Sequence, residues 1–443
     1  MRPKYVEQAA VDRVVDGLEQ FYRKCTESKE FSADEMVKFM EPIFERNGYR
    51  TLKMDENRKI NILIIHDGAA GDFISMSAAI RELRRFYPDA HIILMATPMA
   101  MNLAEVCPYI DELFPNRMPW GEIPPAYQRN IEHARFLLRR KIDVVYAFTH
   151  FPSTNMLAYM SGARERISFE FSVEDSIHIE TGQVYATMAL LTVRVPLRLY
   201  GTHNIDKNLG LLDYTLHVPI SNREPEVWYL PSELAIVQNT FSKRMGDNDK
   251  IYALCMGGSR ASKKWPAENY AELFKMIIAR EPEIKIVVIG GGEADAAYAQ
   301  VFKQTLGEEF VNEHVFDYTN NTNYRQSAAI LRCCDMYIGN DTGTMHAAAA
   351  VKLPSLLVHY FAVDLEMADH TALRIDYPYH IPAVIVMPQH ALDECKGSTT
   401  HYGCNVLDRP HCITQITTQT VFSAYEYLKN QIERNINVPV FVS

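Results

Sequence analysis

Two stretches of this chain repeat the same order of apolar run, small-residue loop and amphipathic run. The first opens with KINILIIHD (59–67), a near-continuous apolar run of the kind expected for a strand covered on both faces. GAAGD (68–72) follows, then FISMSAAIRELRRFYP (73–88), which reads as a helix ended by Pro88, and HIILMAT (91–97), a second buried strand. Strand, glycine loop, helix and strand in this order form a βαβ unit and predict a parallel sheet. IDVVYAF (142–148) reads as a further strand of that sheet, and the stretch from there to about residue 225 has no clear period. The pattern restarts with IYALCMG (251–257), a strand, and the loop GSRASKKWP (258–266). A helix (267–281), a strand ending in glycines (KIVVIGGG, 285–292), a helix (325–334) and a strand (DMYIGN, 335–340) follow. DTGTMHAAAAV (341–351) then opens another helix, and PSLLVHY (354–360) is again a strand.

The pattern predicts an α/β protein with two similar domains. In open α/β sheets ligands bind beyond the carboxyl ends of the strands, so a two-domain version places its site between the halves. Ahead of both lies a helical segment, residues 1–57. AAVDRVVDGLEQFY carries apolar residues at helical spacing, and Ser32 followed three residues later by Glu35 is a capping-box pattern. This segment carries no chemical motif and is expected to pack on the main body or on another subunit. The expected division is 1–57 helical accessory segment, 58–230 first domain, 231–425 second domain and 426–443 tail.

Bulk numbers narrow the function classes. At roughly 150 residues per domain, 443 residues suit two or three domains. A net charge of −10 argues against a general nucleic-acid binder and against broad docking on anionic lipid. The sequence has no 18-residue apolar run, and its N-terminus lacks the apolar core of a signal peptide, so a cytoplasmic protein is expected. Eight cysteines in so long a chain do not suggest a disulfide scaffold.

Four loops carry the candidate chemistry. In DTGTMH, a helix begins among Asp341, Thr342, Gly343, Thr344 and His346. Its first turn offers free backbone N–H groups and the positive end of the dipole, suited to a phosphate. Simple capping by Asp341 or Thr342 is the competing reading. GSRASKKWP offers Ser259, Lys263 and Lys264 at the same predicted end of the sheet. A lysine there is a point charge for a phosphate, although either lysine alone also fits a solvated surface. GGGEAD (290–295) allows close backbone approach, with Glu293 placed to hold a ribose hydroxyl or simply to sit in a strand-to-helix turn. HDGAAGDF (66–73) matches neither the dinucleotide fingerprint nor the P-loop. Its Asp72 starts a helix, as a cap or as a general base.

Assembled, these loops resemble the ADP-heptose:lipopolysaccharide heptosyltransferase family, glycosyltransferase family nine, over roughly residues 60 to 425. The resemblance implies a GT-B fold, two Rossmann-like domains facing across a cleft, here with an N-terminal helical extension. It implies an inverting transfer of heptose from ADP-heptose to an acceptor hydroxyl of lipopolysaccharide core, with no cofactor required for catalysis. The N-terminal domain would hold the acceptor and the C-terminal domain the donor. By resemblance Asp72 is the base, Lys263 and Asp341 to His346 form the diphosphate site, Ser259 lies near the phosphates, and Glu293 matches a ribose contact. Cytoplasmic location, at most peripheral on the inner face of the inner membrane, goes with this reading.

The front segment and the acidic charge depart from the family pattern and leave the acceptor open. A related branch, similar to the bacterial autotransporter heptosyltransferases, modifies protein hydroxyls, forms large assemblies and carries a cysteine-bound iron. In this chain Cys395, Cys404 and Cys412, with His401 and His411 nearby, are the candidate ligands for such a structural iron or for zinc. Their spacing is looser than a zinc knuckle, and a reduced cysteine set is the competing reading. A non-catalytic nucleotide-sugar-binding scaffold, homo-oligomeric through residues 1–57, is the reading from another class.

Overall fold

The sequence pattern of two restarting α/β segments is realised as two parallel sheets. The computed structural model describes residues 6–28, 31–50, 59–116, 127–149, 152–170, 187–196, 202–364, 376–393 and 409–443. They divide into two compact units, one within 1–69, 78–199 and 205–223, the other within 70–77, 200–204 and 224–443.

The first unit holds strands β1 (Asn61–Ile65), β2 (His91–Ala96), β3 (Glu112–Pro115), β4 (Val144–Ala147), β5 (Glu165–Phe169) and β6 (Val193–Val195). Helices α1 (Gln8–Ser28), α2 (Ala33–Arg46), α3 (Ala70–Phe86), α4 (Pro98–Ala104), α5 (Tyr127–Arg140), α6 (Pro152–Met160) and α7 (Asn204–Leu216) accompany them, although the first turns of α3 group with the second unit. The sheet order is β3-β2-β1-β4-β5-β6, all parallel. The chain winds outward from β1, then returns to its other side at β4, so the β1/β4 junction is the switch point of a doubly wound sheet. β1 is buried at every residue, as its unbroken apolar run requires.

The front helices belong to this core. α1 buries one stripe, from Val11, Val14 and Leu18 to Tyr22 and Cys25. Ser32 caps α2 by accepting from the Glu35 N–H at 3.3 Å, while the Glu35 carboxylate meets Lys24 at 3.1 Å instead of completing a capping box. Both helices share one apolar cluster with α5, α6 and strand residues Leu63 and Ile93. Residues 51–57 of the expected front segment lie outside the described residues.

Arg50 fastens this layer. Its guanidinium donates to the carbonyls of Tyr159, at 3.0 Å, and Ala163, and to Glu41 Oε1 at 3.2 Å. It lies 4.2 Å over the Phe44 ring and 4.7 Å over Tyr159. Burial pushes Arg50 below its usual range, and Glu41 pulls it back up.

The second unit holds β7 (Lys250–Cys255), β8 (Ile284–Val288), β9 (Val315–Asp317), β10 (Met336–Asn340), β11 (Ser355–Val358), β12 (Ala383–Val386) and β13 (Pro439–Val442). Its helices are α8 (Pro231–Arg244), α9 (Ala267–Ile278), α10 (Glu293–Leu306), α11 (Glu308–His314), α12 (Tyr324–Leu331), α13 (Gly343–Ala350) and α14 (Thr418–Glu433). The order is β13-β12-β11-β10-β7-β8-β9, again parallel, with its switch point between β7 and β10. No described helix is long and apolar enough to cross a membrane.

Arg50→Ala leaves Glu41 and two carbonyls without their donor inside a packed layer. A loss of about 3 kcal/mol is expected in urea denaturation, the scale of a broken buried pair; a loss under about 0.5 kcal/mol, the scale of an ordinary surface substitution, would show that Arg50 does not fasten the helices.

Candidate functional site

At the switch point of the second unit the backbones of β7 and β10 run close. A Cβ on Gly339 would stand 2.4 Å from the Cys255 carbonyl oxygen, so only glycine fits there. The next residue, Asn340, is 0 % exposed. Its amide donates to the carbonyls of Met256 at 2.7 Å and Gly257 at 3.2 Å. Its oxygen accepts from the Tyr270 hydroxyl at 2.7 Å and the Trp265 N–H at 3.4 Å. One side chain therefore ties the end of β10 to both ends of the loop between β7 and α9.

That loop carries Lys263, in the short 3-10 turn Ala261–Lys263. Lys263 Nζ donates to Asp341 Oδ2 at 2.8 Å and lies 4.9 Å over the Tyr360 ring. Burial works against both charges, yet each holds the other ionised: Lys263 is raised above its usual range. Asp341 is held down at about 2 by Lys263, His359 and His346 against the upward push of burial. His359 is driven down to about 4 by burial and by Lys263, although Asp341 pulls it up, so it is neutral at pH 7. The Phe361 N–H donates to its Nδ1 at 3.2 Å.

Asp341 thus pairs with Lys263, and Thr342, the N-cap of α13, makes no side-chain cap hydrogen bond. The capping reading of this turn is not what the geometry shows. Thr342 Oγ1 instead lies 3.7 Å from Cys255 Sγ and 3.5 Å from the Tyr337 hydroxyl. The first-turn amides of α13 form the positive pole of the helix, which starts two residues after the Asp341 that Lys263 meets.

The first turns of α3 group with this unit. A Cβ on Gly71 would stand 2.6 Å from His346 Cδ2, and one on Gly343 would stand 3.3 Å from the Gly71 nitrogen. The fold therefore gathers Lys263, Asp341, Thr342, Gly343, Thr344 and His346, and brings Asp72, exposed, to the residue next to Gly71. Ser259 is exposed on its loop, and Glu293 is exposed as the first residue of α10.

Two further groups escaped the spacing argument. Lys264 pairs with Asp295 at 3.0 Å. Asp295 is the third residue of α10, a position from which a carboxylate turns back to the preceding backbone, and that rule could have found it. His359 has no signal in sequence beyond its place after β11.

Of the candidate metal ligands, Cys395, Cys404 and His401 lie outside the described residues. Cys412 is buried with His411 Nδ1 3.1 Å from its sulfur. Among the described residues no three His, Cys, Asp or Glu side chains are grouped to hold a metal.

The first unit has a carboxylate at its own switch point. Asp67, 2 % exposed, follows β1 and accepts from Thr154 of α6 and from Asn116 beyond β3. Burial pushes it up to about 6, and those two hydrogen bonds pull it down. A folded-state value raised above the unfolded one favours the folded state at low pH, and that contribution is lost as pH rises from about 4 through about 6. Asp67→Asn removes the titration. The variant is expected to gain on the wild type by on the order of 1–3 kcal/mol between pH 4 and pH 7.5. Parallel melting curves across that range would contradict this.

The family model described as glycosyltransferase family 9 (heptosyltransferase) matches residues 132–360, a little over half of the chain. Lipopolysaccharide heptosyltransferase 2 of Escherichia coli K12 is 21 % identical over 305 residues, which cover 68 % of this chain and 82 % of that protein. Lipooligosaccharide heptosyltransferase 2 of Haemophilus ducreyi is 26 % identical over 307 residues, with 68 % and 82 % covered. Among solved structures, a family 9 glycosyl transferase from Veillonella parvula superposes with TM-score 0.66 at 18 % identity, over 84 % of this chain and 98 % of that one. The E. coli ADP-heptose lipopolysaccharide heptosyltransferase II gives 0.62 at 18 %, over 84 % and 100 %. At these identities the structural likeness is one of fold, and it is the GT-B fold of two Rossmann-like units. The switch-point loops and the family match lead to one conclusion: this chain belongs to glycosyltransferase family 9, the heptosyltransferases, and is a glycosyltransferase.

Proposed function

We propose that the chain moves a heptose from ADP-heptose to a hydroxyl of the lipopolysaccharide core, with inversion at the anomeric carbon. The observation that carries this is the Lys263–Asp341 pair set at the start of α13, whose N-cap makes no side-chain bond to it. Asp341 fixes the ammonium in place, and the remaining Lys263 protons and the first-turn amides face an anion together. The second unit holds the donor in this reading, and residues 58–230 supply the acceptor side.

In the transfer, the acceptor oxygen forms a bond to the anomeric carbon and gives its proton to the Asp72 carboxylate. The bond from that carbon to the diphosphate oxygen breaks, and ADP leaves with the electron pair. Lys263 and the α13 amides stabilise the charge that develops on the leaving oxygen. Neutral His359 adds no competing charge beside Lys263. Relatives named for lipopolysaccharide and lipooligosaccharide support the acceptor; a place at the inner face of the inner membrane goes with this reading.

A thermal-shift series with ADP, ADP-heptose, UDP, GDP and NAD tests the donor. ADP and ADP-heptose are expected to raise the melting point, by the equivalent of about 2.7 kcal/mol at 100 times Kd. Stabilisation by another nucleotide alone would overturn heptose transfer from ADP. Asp72→Asn is expected to cut transfer by roughly 10²–10⁴-fold while keeping the ADP shift; wild-type turnover would remove Asp72 as the base. Lys263→Met is expected to cost about 3 kcal/mol in kcat/KM and to weaken the ADP shift. Incubation with core-truncated lipopolysaccharide followed by mass spectrometry reads the acceptor, and a heptosylated protein in place of a heptosylated core would refute it.

A further inference from the structure

Lys264, next to the candidate phosphate lysine, points elsewhere. It is 5 % exposed, its Nζ lies 3.0 Å from Asp295 Oδ1, and it sits 5.0 Å over the Tyr298 ring. The other Asp295 oxygen accepts from the Gly291 N–H at 3.0 Å. A Cβ on Gly257 would stand 2.3 Å from that same Oδ2, and one on Gly290 would stand 3.1 Å from the Asp295 Cβ. From the other side, Asn320 Oδ1 accepts from the Gly292 N–H at 2.6 Å. The glycine loop after β8 is thus clasped between Asp295 and Asn320, and Lys264 ties that clasp to the loop that carries Lys263.

A buried ion pair is a poor way to gain stability, since well-packed apolar residues often do as well. What it does provide is a fixed geometry between two loops at the carboxyl ends of adjacent strands β7 and β8. Both Asp295 oxygens are used within the protein, so the residue acts through the backbone it holds.

We propose that Lys264 and Asp295 are positioning residues that set the glycine loop 290–292 as the seat for the nucleoside end of the donor, separately from the diphosphate seat at Lys263 and α13. This rests on the donor reading above. The pair pre-organises the loop, and a pre-organised loop gives up less ordering entropy when the ligand binds.

The test uses the full chain, with ADP and inorganic pyrophosphate as calorimetric probes and transfer kinetics beside them. Asp295→Asn and Lys264→Met are expected to weaken ADP by about tenfold, the effect of some 1.4 kcal/mol, and to leave pyrophosphate binding unchanged. KM for the donor rises by the same factor while kcat at saturation holds, and Lys264→Arg restores both. Unchanged ADP binding in the two variants would overturn the proposal and leave the donor site standing. Parallel loss of ADP and pyrophosphate, with a lowered melting point, would reduce the pair to a structural role. A wild-type protein that binds neither probe would remove the donor reading and this proposal together.

Discussion

The second unit depends on one buried amide. Asn340 has its donors and its acceptor all engaged, two carbonyls on one side and a hydroxyl and an N–H on the other. In a low-dielectric interior an unmet polar group costs about 1–3 kcal/mol, so this amide has only one comfortable arrangement. That arrangement fixes how the chain leaves β7 and where it enters α9. Consecutive lysines inside the loop are then delivered to different carboxylates, Lys263 to Asp341 and Lys264 to Asp295.

Under the proposed donor reading, this geometry lets an acidic chain present an anion seat. Both loop lysines are held by carboxylates, so the seat does not depend on a broad field of positive charge. In that reading its attraction would be local, made of ammonium protons and helix-end amides at short range. Such contacts are screened by salt less than surface charges are.

The central strands β1, β2, β4, β7, β8, β10 and β11 were legible because strands covered on two faces are largely apolar, whereas the remaining strands, β3, β5, β6, β9, β12 and β13, were not read from the sequence. The loops after the central strands were legible because small and hydroxyl residues cluster where the chain leaves a strand and turns into a helix. The stretch around residues 152–216 was not, because α6 is buried on all sides and so shows no amphipathic period. Choices among neighbours were also hidden. Glu293 and Asp295 are both acidic, yet only Asp295 turns back to the glycine loop, a matter of helix phase. Asp67 and Asp72 stand five residues apart, one sealed beneath Thr154 and Asn116 and the other exposed. The Asn340 ties span some 70 to 84 residues of chain, which no local spacing reports.

The adjacency of Lys263 and Lys264 makes the length of their loop heritable information. Counting back from Asn340's hold on Trp265, the phase of the two lysines is set by the residues between them and that hold. A single insertion next to the lysines would hand each to the other's carboxylate or to neither. Chain-length drift should therefore be tolerated only at the exposed Ser259 tip, and lineages descending from this protein would vary there while keeping the count from Lys263 to Trp265.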